Sequence, residues 1–106
     1  MEFAKNLPDW LAACFRTALL GEIYPNIRAI AVGYNESGSV LIRYYLDREP
    51  TEFDLESIEV VATNFDSMGG KQHPIYRIDT QCVHSDATKR DLEPFSGFVY
   101  SRREYS

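Results

Sequence analysis

The apolar residues at the start of the chain recur at intervals of three and four, the spacing that places side chains on one face of a helix. This pattern predicts a helix over residues 6–20, with Asn6 as its cap, Pro8 in its first turn and Gly21 as its C-terminal stop. The apolar positions of this helix are Leu7, Trp10, Leu11, Cys14, Phe15, Ala18 and Leu19. We expect Trp10, the largest of them, to be a core residue.

The next two segments are rich in β-branched and aromatic residues, which favour strands. They cover residues 27–34 and 39–46, and four turn-forming residues (35–38, Asn-Glu-Ser-Gly) lie between them. Two such segments joined by a short polar turn predict a β-hairpin. Both faces of these strands are partly apolar, so we expect central strands that helices cover on at least one face.

The second half of the chain predicts another helix and two more strands. Thr51 can cap a helix that runs to about Asp66 and breaks at residues 68–70 (Met-Gly-Gly). Polar and apolar residues then alternate over 74–83, which predicts a strand. A polar loop over 84–93, with one helical turn at 88–92, leads to a last strand over 95–104.

The order of elements is therefore α-β-β-α-β-β, which predicts an α+β fold. We expect a mainly antiparallel four-stranded sheet packed by two helices. The 106 residues leave no room for a second independent core, so residues 1–106 are predicted to form a single domain. With 44% hydrophobic and 25% charged residues, the composition is that of an ordinary globular protein.

The distribution of charge is the main functional clue in the sequence. The net charge is −5, which argues against direct binding to nucleic acid or to an anionic membrane. Residues 47–66 contain seven acidic residues and one basic residue, Arg48, so this segment carries the whole negative excess. Neither a signal-like stretch near the N-terminus nor an apolar run long enough to cross a membrane is present, which predicts a cytoplasmic protein.

Helical spacing places the acidic and apolar residues of the second predicted helix on opposite faces. The apolar stripe, which we expect to pack against the sheet, consists of Leu55, Ile58, Val61, Ala62 and Phe65. The opposite stripe contains Glu52, Glu56, Glu59, Thr63 and Asp66. No Lys or Arg occupies an i+3 or i+4 position, so repulsion between the acids costs a few tenths of a kcal/mol per pair.

This acidic face has two interpretations. It is either a solvated surface that keeps the protein soluble, or the binding site for a strongly basic partner such as a nuclease with a cationic cleft. Complementary charge would accelerate association with such a partner. The candidate binding residues are Asp47, Glu49, Glu52, Glu56, Glu59 and Asp66.

The cysteines and histidines form no recognisable metal-binding or catalytic motif. Cys14 and Cys82 are far apart and lack a CxxC pattern, so we expect buried, reduced thiols. His73 and His84 lack the spacing of zinc ligands. Nucleophile-elbow, phosphate-binding and HExxH motifs are absent from the sequence. The sequence therefore predicts no catalytic residue, metal or cofactor, and we expect a protein that is not an enzyme.

Two segments carry a resemblance to a known family. They are IRYYLDREPTEFDLESIEVVATNFDS (42–67), with the pattern D-x-x-P-[TS]-x-x-D-x-E-x-x-E, and DLEPFSGFVYSRREYS (91–106), with a terminal Y-x-R-x-E. In these segments the chain resembles the small immunity proteins of bacterial contact-dependent growth inhibition and related polymorphic toxin systems. The resemblance implies a cytoplasmic protein that binds and blocks one cognate toxin C-terminal domain, frequently a nuclease acting on tRNA. Because each immunity protein binds its toxin differently, the resemblance assigns no contact residues.

The leading hypothesis is an immunity protein whose acidic surface occludes the active site of a basic nuclease toxin, without direct contact with nucleic acid or membrane. An alternative from another class is a structural or adaptor domain that forms homo-oligomers through a sheet edge. A third is a small enzyme whose site the sequence does not reveal. A symmetric dimer without a basic partner would favour the second hypothesis.

Overall fold

The computed structural model describes residues 2–68 and 74–104, and its elements follow the predicted order. They are α1 (Asp9–Ala18), β1 (Ile27–Tyr34), β2 (Ser39–Leu46), α2 (Glu52–Met68), β3 (Arg77–His84) and β4 (Gly97–Ser101), with a 3₁₀ turn at Lys89–Asp91. The predicted α+β class is confirmed. The predicted helix break at Gly69 and Gly70 lies outside the described residues.

The four strands form one mixed sheet in the order β3-β2-β1-β4. β1 pairs antiparallel with β2 and with β4, so the prediction of a mainly antiparallel sheet is confirmed. β2 and β3 are parallel, and their pairing runs without a shift from Ser39 beside Arg77 to Leu46 beside His84. The parallel pair arises because α2 carries the chain from the end of β2 back to its start, as parallel pairing requires.

The hairpin formed by β1 and β2 has the predicted bounds, and its turn shows why. The Asn35 side chain accepts hydrogen bonds from the backbone amides of Ser37 and Ser39, at 3.1 and 3.2 Å. Gly38 has a φ of +87°, in the left-handed region that glycine adopts without the penalty of a Cβ atom. The turn residues therefore fix the register of the two central strands.

α1 is shorter than predicted at both ends. Pro8 occupies the N-cap position without a side-chain cap hydrogen bond, so the predicted Asn6 cap is wrong. The reason is steric, since the residue that precedes a proline is disfavoured in the helical region. Gly21, with a φ of +76°, lies in the turn that follows the helix. Trp10 is half-buried at the edge of the core, where its ring meets that of Tyr34 edge-on at 5.7 Å.

Both helices pack on one face of the sheet and enclose the main core there. Phe15 of α1 and Phe65 of α2 are fully buried and stack with their ring centroids 4.5 Å apart. Below them lie sheet side chains that are also fully buried: Ile30, Val32, Ile42, Tyr44 and Leu46. Each such large side chain contributes roughly 1.5–3 kcal/mol relative to an exposed one, so this layer holds the helices in place.

The opposite face of the sheet is covered by chain segments rather than by a helix. A small cluster of Ala29, Ala31, Tyr45 and Leu92 is buried there. The Phe3 ring lies so close to Gly33 that a Cβ atom at this position would sit 2.7 Å from it. The guanidinium of Arg43 lies 4.6 Å from the centre of the Phe95 ring. Both faces of β1 are therefore buried, as expected for a central strand.

The buried stripe of α2 differs from the prediction at its first position. Ile58, Val61, Ala62 and Phe65 are buried as predicted, whereas Leu55 is 52% exposed. Asp54, with 0% exposure, takes the expected place of Leu55. Because Asp54 lies four residues before Ile58, it shares the helix face that points to the sheet. The buried aspartate depends on hydrogen bonds from Arg48, six positions before it, and from Tyr24, 30 positions before it.

No helix among residues 2–68 and 74–104 is long and apolar enough to span a bilayer.

Candidate functional site

The solvent-facing surface of α2 is divided lengthwise into an acidic strip and an apolar strip. The acidic strip consists of Glu52, Glu56, Glu59 and Asp66, all exposed and spaced by four, three and seven residues. The apolar strip consists of Phe53 and Val60, which are 59% and 45% exposed. Seven residues are two helical turns, so these two side chains share a flank of the helix.

The acidic strip borders β3. Glu59 accepts a hydrogen bond of 2.8 Å from the Thr80 hydroxyl, which ties the middle of the strip to the edge of the sheet. A groove of about 290 Å³ lies there, between Glu59 and Asp66 on the helix and Tyr76 and Arg77 at the start of β3. Within the described parts of the chain, Glu52, Glu56 and Asp66 have no ion-pair or hydrogen-bond partner. These three carboxylates are available to an external cation.

Asp47 and Glu49, the other two candidate residues, lie between β2 and α2 and are engaged within the fold. Asp47 pairs with Arg102 at 2.7 Å and accepts a hydrogen bond from Asn26, and both contacts lower its pKa. Glu49 lies 3.0 Å from Nδ1 of His84, and this contact raises the pKa of the imidazole. The structure thus brings four of the six candidates together on α2, whereas Asp47 is paired with Arg102 and Glu49 is hydrogen-bonded to His84.

Buried Asp54 fixes the start of α2. It accepts hydrogen bonds from Arg48 Nη1 at 2.6 Å, from the Thr51 amide at 2.7 Å and from the Tyr24 hydroxyl. Burial alone would raise the pKa of Asp54, but the hydrogen bonds from Arg48, Tyr24 and Thr51 outweigh it, so the pKa lies well below its usual range. Thr51 precedes the helix as predicted, but its hydroxyl donates to Asp54 at 3.0 Å instead of accepting from a helix amide. The Asp54 side chain provides the reciprocal half of the cap by accepting from the Thr51 amide.

The apolar strip borders the loop between α1 and β1, residues 19–26. Ile23 of this loop is 38% exposed, and the Tyr24 ring meets the Phe53 ring at 5.0 Å. These side chains and Val60 line a second groove, of about 310 Å³, which we call the apolar groove. Gly21, Glu22, Glu56 and Ser57 complete its lining.

The sequence pattern did not predict the apolar groove. Phe53 and Val60 are apolar residues outside the predicted buried stripe, and they are seven residues apart. This pair was the one sequence feature that indicated a second apolar face on the helix. Ile23, by contrast, is distant in sequence and lines the groove because the loop between α1 and β1 packs beside α2. The candidate surface is therefore partly apolar as well as acidic.

A further charged cluster joins the C-terminal end of the described chain to the sheet. Arg28, 7% exposed, contacts Glu104 through Nε and Nη2 at 2.8 and 2.7 Å and also donates to the carbonyl oxygens of Ser85 and Ala87. The hydrogen bonds from Arg28 lower the pKa of Glu104 to about 2. Because four of the five guanidinium N–H groups of Arg28 donate to these partners, the cluster is a structural contact.

The chemistry available elsewhere is limited. Cys14 and Cys82 are free and half-buried, and burial raises the pKa of the Cys82 thiol to about 11. Among residues 2–68 and 74–104, no group of three or more His, Cys, Asp or Glu side chains could hold a metal ion. His73, one of the two histidines considered for zinc, lies outside these residues.

Comparison with known families places this surface in context. The family model described as MafI2 immunity protein matches residues 8–104, which include both helices and all four strands. Comparison with curated proteins finds no significant match.

Proposed function

The chain belongs to the MafI2 immunity protein family, and from this premise we propose that it neutralises a basic nuclease toxin by covering the active site of that toxin with the acidic strip of α2. An immunity role implies a cognate toxin as partner. The toxin class, an RNase or DNase (including tRNases), and the mode of occlusion are the proposed parts. The proposed place of action is the cytoplasm.

One observation carries the proposal: three exposed carboxylates of α2, those of Glu52, Glu56 and Asp66, have no partner among the described residues. The same fold supplies Arg102, His84 and Arg48 to the acids that lie before and inside the helix. Asp47 and Asp54 are thus each paired with an arginine. Arg77, which lines the groove beside Asp66, is paired with Asp79 at 2.8 Å instead, so among the described residues no cation pairs with the three carboxylates of the acidic strip. Such a surface favours a partner that brings its own positive charge.

The chemistry of nucleases supplies the complement. An enzyme that cleaves a polyanion binds phosphates through Lys and Arg, and a helix with repeated carboxylates can occupy the same cleft. Complementary fields accelerate association to rates far above those of uncharged pairs. An inhibitor that must reach a toxin before it cleaves its substrate benefits from this rate. Inhibition by binding also requires no catalytic group on this chain.

The test is a paired charge reversal with a matched control. Glu52→Lys with Asp66→Lys changes two unpartnered acids at opposite ends of α2, so the effects on the helix dipole offset each other. Glu2→Lys with Glu36→Lys gives the same change in net charge at exposed acids outside the helix. The toxin domain, identified by pull-down from the native host and mass spectrometry, is then titrated with wild type and both variants at two salt concentrations.

We expect the α2 variant to bind the toxin at least about tenfold more weakly, since close charge pairs at interfaces couple by roughly 1.5–7 kcal/mol. The control variant should bind like wild type. Protection of the toxin's nucleic-acid substrate should be lost in parallel. Equal affinities for all three proteins, with no salt dependence, would show that the acidic strip is only a solvated surface.

A further inference from the structure

We propose that the apolar groove beside the acidic strip is a second contact site for the toxin, and that it takes one arginine or lysine side chain from a basic segment of that toxin. The methylene stem of this side chain would lie against Phe53 and Val60, and its charge would reach Glu56 or Glu22. This inference rests on the proposed function, because it assumes a basic protein partner.

The apolar side chains that line the groove are unusually exposed to solvent. Phe53, Val60 and Ile23 are 59%, 45% and 38% exposed, although Phe15 and Phe65 already close the core between the helices. Large aromatic and aliphatic side chains at the surface of a small domain mark interaction sites when they cluster. These three line one groove. Their cluster is not needed to complete the core.

The groove is also held in a fixed shape. The Phe53 ring packs edge-on against the Tyr24 ring, and the Tyr24 hydroxyl donates a hydrogen bond to buried Asp54. Ser57, on the floor of the groove, lies 3.2 Å from the Tyr44 hydroxyl. Aromatic side chains that are held before binding lose little entropy on binding, which makes them effective anchors.

Charge selects the kind of occupant. Among the described residues that line the groove, Glu22 and Glu56 are charged and both are acidic. An aromatic ring flanked by carboxylates favours a side chain that combines an apolar stem with a cationic end, as Arg and Lys do. A second copy of this chain is disfavoured, because a symmetric contact would place the same glutamates opposite one another.

A matched pair of substitutions on the same helix tests the proposal. Phe53→Ala removes the anchor of the groove, and Leu55→Ala removes a side chain of similar exposure (52%) that does not line it. Both sites are exposed, so the two variants should keep the thermal midpoint of the wild type within a few degrees. We expect Phe53→Ala to weaken toxin binding by about tenfold to a hundredfold, as truncation of an aromatic anchor does, and Leu55→Ala by less than about threefold.

The outcomes separate this inference from the proposed function. If Phe53→Ala and Leu55→Ala bind equally well while Glu52→Lys with Asp66→Lys binds weakly, the groove proposal is overturned and the acidic strip remains the contact. If neither set of variants changes binding, both proposals fail. If Phe53→Ala instead changes the molar mass of the protein alone in light scattering, the groove is an interface between copies, and the proposal is likewise overturned.

Discussion

Asp54 and Tyr24 share a hydrogen bond that joins the start of the acidic helix to the wall of the apolar groove. The contact spans 30 positions in sequence and connects the loop before β1 with the buried face of α2. Burial raises the pKa of the Tyr24 phenol, and the neighbouring Asp54 carboxylate raises it further. The phenol therefore remains a hydrogen-bond donor throughout the physiological range.

Replacing Tyr24 by Phe removes the donor and keeps the ring that packs against Phe53. We expect the free energy of unfolding to fall by roughly 1.5–3 kcal/mol, the value of a hydrogen bond to a charged group. Urea denaturation measures it. Tyr76→Phe, at a side chain that is 79% exposed, is the control and should leave the stability within about 0.5 kcal/mol of wild type. Equal stability of both variants would contradict this role of Tyr24.

Asp54→Asn should make the protein less stable and less sensitive to acid. The pKa of Asp54 is depressed in the folded state, so its stabilising effect is fully present above its unfolded pKa of about 3.9. This effect is lost progressively as the pH falls from that value towards the lower folded pKa. We expect the variant to lose about 3–5 kcal/mol at pH 7 and the difference from wild type to shrink towards pH 3. Urea titrations between pH 3 and 7 measure this difference, and a constant difference would contradict the prediction.

Arg28→Lys should destabilise the domain although it preserves the charge. A lysine cannot reproduce the two parallel contacts with Glu104 and the bonds to two carbonyl oxygens. We expect a loss of about 1.5–3 kcal/mol in the free energy of unfolding. Arg16→Lys, at an exposed position of α1, is the matched control and should be neutral. Similar denaturation midpoints for the two variants would show that the paired Arg28–Glu104 hydrogen bonds do not stabilise the domain.

The Cys82 thiol should react slowly with alkylating reagents at neutral pH. Burial raises its pKa to about 11, and its Sγ donates to the carbonyl oxygen of Asp54 at 3.6 Å. Only the thiolate is nucleophilic, so in a Cys14→Ser background the rate with iodoacetamide should keep rising up to about pH 10. Mass spectrometry follows the reaction, and urea-unfolded protein is the control, with a plateau near pH 9. The same plateau in the folded protein would contradict the prediction.

Local patterns predicted the elements well, because their signals lie within a few residues. The hairpin follows from the turn at Asn35–Gly38 and the composition of its flanks, and the acidic strip follows from helical spacing alone. Local patterns could not predict the parallel pairing of β3 with β2, because this pairing depends on the path of α2 across the sheet. Helix ends were predicted less well, as the Asn6 cap shows.

The exchange of Leu55 for Asp54 shows where local reasoning ends. By hydropathy, a leucine is expected inside and an aspartate outside. The rule fails here because hydrogen bonds from Arg48 and Tyr24 offset the free-energy cost of burying the carboxylate. The pairing of Asp47 with Arg102 spans 55 positions and is likewise beyond the reach of local patterns. The sequence therefore predicted the acidic half of the candidate site. It predicted neither the apolar groove nor which of the acids form contacts within the fold.

The mixed sheet also has a kinetic consequence. Strands β1 and β2 are neighbours in sequence, whereas β3 and β4 join the two outer edges of the hairpin through long loop closures. Closing a long loop costs chain entropy before the distant strand pairs form, so we expect the hairpin to be the folding nucleus. In kinetic φ-value analysis, Val32→Ala should give a value of about 0.5–0.8 and Val99→Ala a value of about 0–0.3. Substitutions in β4 would then act mainly on the unfolding rate, so the lifetime of the folded inhibitor, rather than the speed of its formation, depends on the outer strand.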